Sequence, residues 1–171
     1  PLVQRAQCGG DTVSVMAIDL DHFKRCNDTF GHDVGDAVLQ EFAARLASNT
    51  RPSDYACRQG GEEFTIVMPR TAGDIACLAA ERLRRSICSS PFIVPGLAQP
   101  LDVTISIGVA STEGADNTAD TLLKRADEAL YEARIAKQGS FTGIRFTALA
   151  RLSGTKLPFQ STLVLGGDWS L

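Results

Sequence analysis

The chain has no CxxC pair, no excess of basic charge, no long apolar run and no GxxxxGK[ST] loop, and each absence removes a class of function. Five cysteines, Cys8, Cys26, Cys57, Cys77 and Cys88, are odd in number and widely spaced, so neither a zinc knuckle nor a disulfide scaffold is indicated. They read as the reduced thiols of a cytoplasmic protein. A formal net charge of −3 lacks the basic balance that duplex nucleic acid favours. No DNA-binding role is expected, and any nucleotide partner should be small and metal-bridged. No apolar run approaches the roughly 18 residues of a membrane helix, and no charged-then-apolar leader opens the chain. Without the GxxxxGK[ST] loop, an ordinary P-loop nucleotide site is excluded. There is no internal repeat or low-complexity stretch.

What is present suits one folded domain. The 171 residues are 44% hydrophobic and 22% charged, ordinary for a globular chain able to bury a core. Thr12 to Ile18 is β-branched and apolar, as expected of a central strand covered on both faces, with Asp19 closing it at the sheet edge. A short helical stretch over 21–27 follows, then a turn rich in glycine and aspartate over 31–36. A longer helix ending near Asn49 places Val38, Leu39, Phe42 and Leu46 on one face. Strands over 55–59 and 62–68 flank Gly60-Gly61, a favoured two-residue hairpin connection. Thr71 to Ser86 carries Ile75, Leu78, Ala79 and Leu83 at helical spacing, and Leu101 to Ala110 alternates as a strand. Asn117 or Thr118 caps a last helix that buries Leu122, Ala126, Leu130 and Ala133. The order β-α-α-β-β-α-β-α predicts an α/β (α+β) fold, a mixed sheet carrying a hairpin with helices packed on it, close to the ferredoxin-like arrangement. Residues 1–138 form the domain. Residues 139–171 hold no firm pattern and read as an atypical tail.

The chemistry concentrates in acids. Asp19 caps the next helix or, if catalytic, aims its carboxylate at a ligand. Glu62 and Glu63 stand side by side after Gly60-Gly61, a costly pairing of like charges. Neighbouring side chains on a strand point to opposite faces, so only one of the two should aim at Asp19. Two hard oxygen ligands held together suit Mg²⁺, which prefers carboxylates, water and substrate phosphates. Paired metals about 3.5 to 4 Å apart activate an attacking oxygen and steady a leaving pyrophosphate, which favours phosphoryl or nucleotidyl transfer. The bland alternative is a solvated acidic turn. Backbone amides at Phe23 and Lys24 lie where a turn enters a helix and can hold phosphate. Lys24 is either a positive charge for that phosphate or an exposed helix lysine. Asn27 and Asp36 offer the amide and carboxylate that read a purine edge, or else form turn and cap.

Asp19-Leu20-Asp21-His22-Phe23-Lys24, Asn27-Asp28-Thr29-Phe30-Gly31-His32, Gly35-Asp36 and Arg58-Gln59-Gly60-Gly61-Glu62-Glu63-Phe64 together resemble the GGDEF family of diguanylate cyclases. The resemblance runs from about Thr12 to Ala133 and includes Ser106-Ile107-Gly108-Val109-Ala110 and Ala126-Asp127-Glu128-Ala129-Leu130-Tyr131. It implies a mainly antiparallel, palm-like nucleotide cyclase fold and an enzyme that joins two GTP molecules into cyclic di-GMP. By that resemblance Asp19, the Leu20 carbonyl and Glu62, with Glu63 secondary, hold Mg²⁺ or Mn²⁺, two per active half-site. Glu62 helps activate the ribose 3′-hydroxyl, and Lys24 steadies phosphate charge. Phe23, Asn27, His32, Asp36, Gly60 and Gly61 contact substrate. Each subunit binds one GTP, so catalysis needs a homodimer and a monomer is inactive.

The resemblance also implies a product-inhibition site at Arg51 and Asp54, an RxxD just upstream of the signature, with Arg82 and Arg5 as further contacts to cyclic di-GMP. After Tyr131 the family continues Y-x-A-K-x-x-G-R-N. Here Arg134 replaces the lysine, Lys137 stands at the glycine and Gln138 at the arginine, so a weaker grip on GTP is expected. The family's opening L-T-x-L-x-N-R segment is not in this chain. Because the chain starts at Pro1 rather than Met, it reads as a piece of something longer, preceded by a regulatory domain of receiver type. Residues 139–171 do not resemble the family and read as an altered frame or an appended end. The rival reading is a non-catalytic sensor of cyclic di-GMP or GTP. A third is a cyclase acting on ATP.

Overall fold

The computed structural model describes residues 12–112 and 118–138. Strand β1 (Val13–Leu20) leads into helix α1 (Phe23–Phe30) and, after Gly31, into α2 (His32–Asn49). The hairpin β2 (Tyr55–Gly60) and β3 (Glu63–Pro69) is followed by α3 (Gly73–Cys88), β4 (Ile105–Ser111) and α4 (Ala119–Gln138). The sheet order is β2-β3-β1-β4, and every pairing among these strands is antiparallel. The α+β fold expected from the sequence is present, with no parallel pair in the described sheet.

Strand β1 is buried at every position because helices cover both faces of the sheet. Its even residues Met16, Ile18 and Leu20 pack with Phe64, Ile66, Ile105 and Ile107, under α2 and α3. Phe42 of α2 is fully buried there, its ring 4.8 Å from that of Phe64 in an edge-on contact. Each such side chain contributes about 1.5 to 3 kcal/mol of burial. Its odd residues Val13, Val15 and Ala17 face α4 and pack with Ala110, Leu122, Ala126 and Leu130. Thr118 caps α4 by accepting from the Thr121 N–H at 3.1 Å, while its own N–H donates to the Thr121 hydroxyl at 2.9 Å. All four residues expected on the α4 face, Leu122, Ala126, Leu130 and Ala133, are buried.

Several expectations shift: the segment expected as a turn over 31–36 is helical from His32, and β4 begins at Ile105 rather than Leu101. Strand β1 does not close at Asp19 but runs on to Leu20, with Asp19 paired on both sides, with Glu63 and Ser106. The hairpin turn is Gly61-Glu62 rather than Gly60-Gly61, with the register slipping between Arg58 and Gly60. Gly61 sits at φ 51°, a conformation that glycine adopts without steric cost. On α3 the buried stripe is Ala76, Ala80, Leu83 and Ile87, which lets the helix lie close to the sheet; Ile75 and Leu78 are exposed. The tail 139–171 and Arg5 lie outside the described residues.

Candidate active site

The alternation of β1 decides where its acid points. Asp19 continues the series Val13, Val15, Ala17, so its carboxylate faces the α4 side, and it is only 3% exposed. One helical turn beyond Leu130, Arg134 reaches that carboxylate, Nη1 to Oδ2 at 3.2 Å. Glu63 is the direct cross-strand partner of Asp19, and Glu62 occupies the turn beside it, where its carbonyl accepts from the Leu20 N–H at 3.4 Å. Strict alternation therefore does not choose between the two glutamates, since Glu62 is a turn residue rather than a strand residue. Both act on Asp19. Burial pushes the Asp19 carboxyl up to about 6; Arg134 opposes this, and the negative charges of Glu62, Asp21 and Glu63 add to it, Glu62 most among the acids.

That crowding is the observation on which a cation fits. A buried acid held among three others is relieved by a positive charge placed between them. Among the described residues, no three acid, histidine or cysteine side chains form a ready cage for an ion. Asp19 with its cross-strand neighbour Glu63, Glu62 in the adjoining turn and the end of β1 are oxygen donors of the kind an ion takes when it uses few protein ligands and keeps water and phosphate oxygens. Asp21 was not anticipated as part of the site. Both of its carboxylate oxygens accept from hydroxyls, Oδ2 from Thr104 at 2.6 Å and Oδ1 from Ser106 at 2.7 Å. The Asp-x-Asp spacing was visible in the sequence, but the hydroxyls it meets lie 83 and 85 residues away.

Beside the acids, α1 and α2 form a second set. Phe23 is buried at the start of α1, and Lys24 next to it is exposed. Asn27 is half-buried against Gly35, where an added Cβ would collide with its amide and come within 3.2 Å of the Phe23 ring. Asn27 Oδ1 is buried with no hydrogen-bond partner, an arrangement that costs about 1 to 3 kcal/mol unless a ligand donates to it. Asp36 follows Gly35, one helical turn after His32, and both are exposed.

The Arg51-x-x-Asp54 segment is a turn in which the Arg51 N–H donates to Asp54 Oδ2 and the Asp54 N–H donates to the Arg51 carbonyl, each at 3.0 Å. Arg51, Asp54 and Arg82 line one shallow cleft, floored by Met16 and Ile66 and walled by Ile75. Because Met16 and Ile66 are on the α2–α3 face, this cleft opens on the opposite side of the sheet from the Asp19 carboxylate. Three of the four residues expected for product binding are thus together.

An antiparallel βααββαβα domain with acids gathered where its central strand meets its hairpin is the class of α+β domain that the fold and site define. Residues 1–140 match the family model "Diguanylate cyclase, GGDEF domain". The chain belongs to the GGDEF family. It is 54% identical over 142 residues to the response regulator PleD of Caulobacter vibrioides, covering 83% of this chain and 31% of that protein. It is 43% identical over 124 residues to diguanylate cyclase A of Treponema denticola, covering 72% and 33%. The chain thus spans about a third of these relatives' length. Among solved structures, the GGDEF domain of DgcB from Caulobacter crescentus, in complex with c-di-GMP, superposes with a TM-score of 0.75 at 32% identity, covering 79% of each chain. The active GGEEF domain of a Vibrio cholerae diguanylate cyclase superposes with a TM-score of 0.73 at 34% identity, covering 79% and 84%. Among the described residues, no helix is long and apolar enough to cross a membrane.

Proposed function

We propose that this domain condenses two GTP molecules into cyclic di-GMP and two pyrophosphates, one GTP on each subunit of a homodimer. Each ribose 3′-oxygen bonds to the α-phosphorus of the other GTP, the bond from that phosphorus to the β-phosphate oxygen breaks, and the 3′-hydroxyl gives up its proton. The observation that carries this reading is the buried Asp19 carboxylate, set directly across from Glu63 of the GGEEF hairpin with Glu62 in the adjoining turn. Asp19, the Leu20 carbonyl and Glu62, with Glu63 secondary, would hold Mg²⁺ or Mn²⁺, two per half-site. When bound, these ions supply charge for the attacking and leaving oxygens.

The chain's own groups do the rest. Glu62 draws the proton from the 3′-hydroxyl. The Phe23 and Lys24 amides and the Lys24 ammonium hold phosphate oxygens at the entry to α1. Asn27, with its unpartnered Oδ1, accepts from a guanine N–H, and Asp36 accepts from another; His32 borders the same site. Gly60 and Gly61 leave the hairpin backbone bare for close approach of substrate. Arg134 binds the triphosphate in place of the family's lysine, and GTP affinity is reduced where Lys137 and Gln138 depart from the pattern. Cyclic di-GMP returns to the cleft of Arg51, Asp54 and Arg82 and inhibits. An upstream regulatory domain supplies the input.

Purified protein incubated with GTP and Mg²⁺ tests this. Cyclic di-GMP and pyrophosphate should appear, ATP should give no cyclic product, and Glu62→Ala should abolish turnover with GTP binding retained. Nucleotide bound but unchanged would establish a sensor instead, and a Glu62→Ala rate equal to the native rate would overturn the assignment of the hairpin acid.

A further inference from the structure

We infer that Asp21 is a positioning residue, which aims the Leu20 carbonyl at the hairpin tip and keeps the Ser106 hydroxyl away from Asp19. The inference rests on the reading of Asp19, Leu20 and Glu62 as the cation site and deepens it. A peptide unit is planar and trans, so its N–H and C=O point in opposite directions. The Asp21 N–H donates to the Thr104 carbonyl at 2.9 Å, toward β4. The Leu20 carbonyl, at the other end of the same peptide unit, must then point away from β4 toward the hairpin, the side on which the Leu20 N–H already meets Glu62. The direction of a backbone oxygen that would be a ligand is therefore fixed by what holds residue 21.

What holds it is unusually complete for a turn. Besides the N–H bond, the carboxylate takes the Thr104 hydroxyl at 2.6 Å and the Ser106 hydroxyl at 2.7 Å, three bonds to two residues of the neighbouring strand and its approach. Hydrogen bonds to an ionised acceptor are short and roughly twice as strong as neutral ones. They offset the next residue, His22, which sits at φ 58° and carries the chain into α1 with the Phe23 and Lys24 amides. Ser106 is the direct cross-strand partner of Asp19 and lies on the same face. A buried serine there would naturally donate to Asp19 and compete with a cation. Asp21 takes that hydroxyl instead.

The test is Mn²⁺ binding by electron paramagnetic resonance on the whole chain without nucleotide, for Asp19→Asn, Asp21→Asn, Thr104→Val, Ser106→Ala and Leu46→Ala. A positioning role predicts that Asp21→Asn and Thr104→Val each weaken Mn²⁺ about tenfold, the usual effect of losing a group that orients a ligand. Leu46→Ala, which destabilises the core while leaving the hydrogen bonds of Asp21 in place, should keep native affinity, which separates positioning from general loss of stability. If Asp21→Asn abolishes binding while Thr104→Val and Ser106→Ala match the native protein, Asp21 is itself a ligand and the inference is overturned. Native affinity in Asp21→Asn and Thr104→Val overturns it equally. Should Asp21→Asn fail to fold, Thr104→Val alone decides. Native affinity in Asp19→Asn would instead bring down the cation-site reading, a separate and recognisable failure.

Discussion

Asp19 carries a charge that its surroundings resist. It is buried between β3, β4 and α4, three acids lie near it, and only Arg134 among the groups acting on it favours the ionised form. Its carboxyl titrates higher in the folded chain than its ordinary value of 3.8, so the native state binds the proton more tightly than the unfolded chain. Linkage then gives the sign: this group's contribution to stability falls as pH rises between about 4 and about 6 and stays low above. Asp19→Asn should therefore be more stable than the native protein at pH 7 in the absence of metal, by up to the order of 3 kcal/mol. The gap should close near pH 4. Urea melts at the two pH values check this; equal stability at pH 7 would mean that the burial is not costing what the geometry implies. A cation at the proposed site would relieve that cost.

At the scale of elements, the site depends on how close α4 lies to β4. An added Cβ at Gly108 would land on the Ala126 carbonyl and the Leu130 amide and within 2.8 Å of the Leu130 Cα. Those are helix backbone atoms, which cannot turn aside. Gly108→Ala should lift α4 from the sheet, cost about 1 to 3 kcal/mol of stability, and draw Arg134 away from Asp19. Thermal melts, with turnover measured on the same sample, check both effects; a variant with native stability and rate would show that the contact is slack. The α4 packing was legible in advance because Leu122, Ala126, Leu130 and Ala133 repeat at helical spacing. Strand β1 was legible because a β-branched apolar run has few other uses. The α3 face was misjudged because sequence periodicity favours large apolar residues such as Ile75 and Leu78, whereas the close approach to the sheet selects alanines. The hairpin was misplaced by one residue because a slip near Gln59 cannot be seen from composition. Of the site, Asp19 and the glutamate pair were legible as acids at a strand end and a turn. The meeting of Asp19 with Arg134, 115 residues away, depends on tertiary packing that no local pattern encodes.

For the whole molecule, the decisive feature is that the proposed reaction needs two nucleotides and each domain offers one acid cluster. Specific activity should rise with protein concentration and level off once dimers predominate, and a covalently enforced dimer should lose that dependence. Rate measured across a dilution series checks this, and an activity per subunit that does not change on dilution would contradict assembly of the site from two copies. The cleft of Arg51, Asp54 and Arg82 is on the far side of the sheet from Asp19, so the proposed product and substrate sites do not overlap.

The most direct measurement is the anomalous signal of manganese in crystals grown with a non-hydrolysable GTP analogue. The account predicts manganese bound by Asp19, the Leu20 carbonyl and Glu62, with the guanine against Asn27 and Asp36. Manganese found away from Asp19, or a nucleotide seated with its phosphates remote from the hairpin tip, would contradict it.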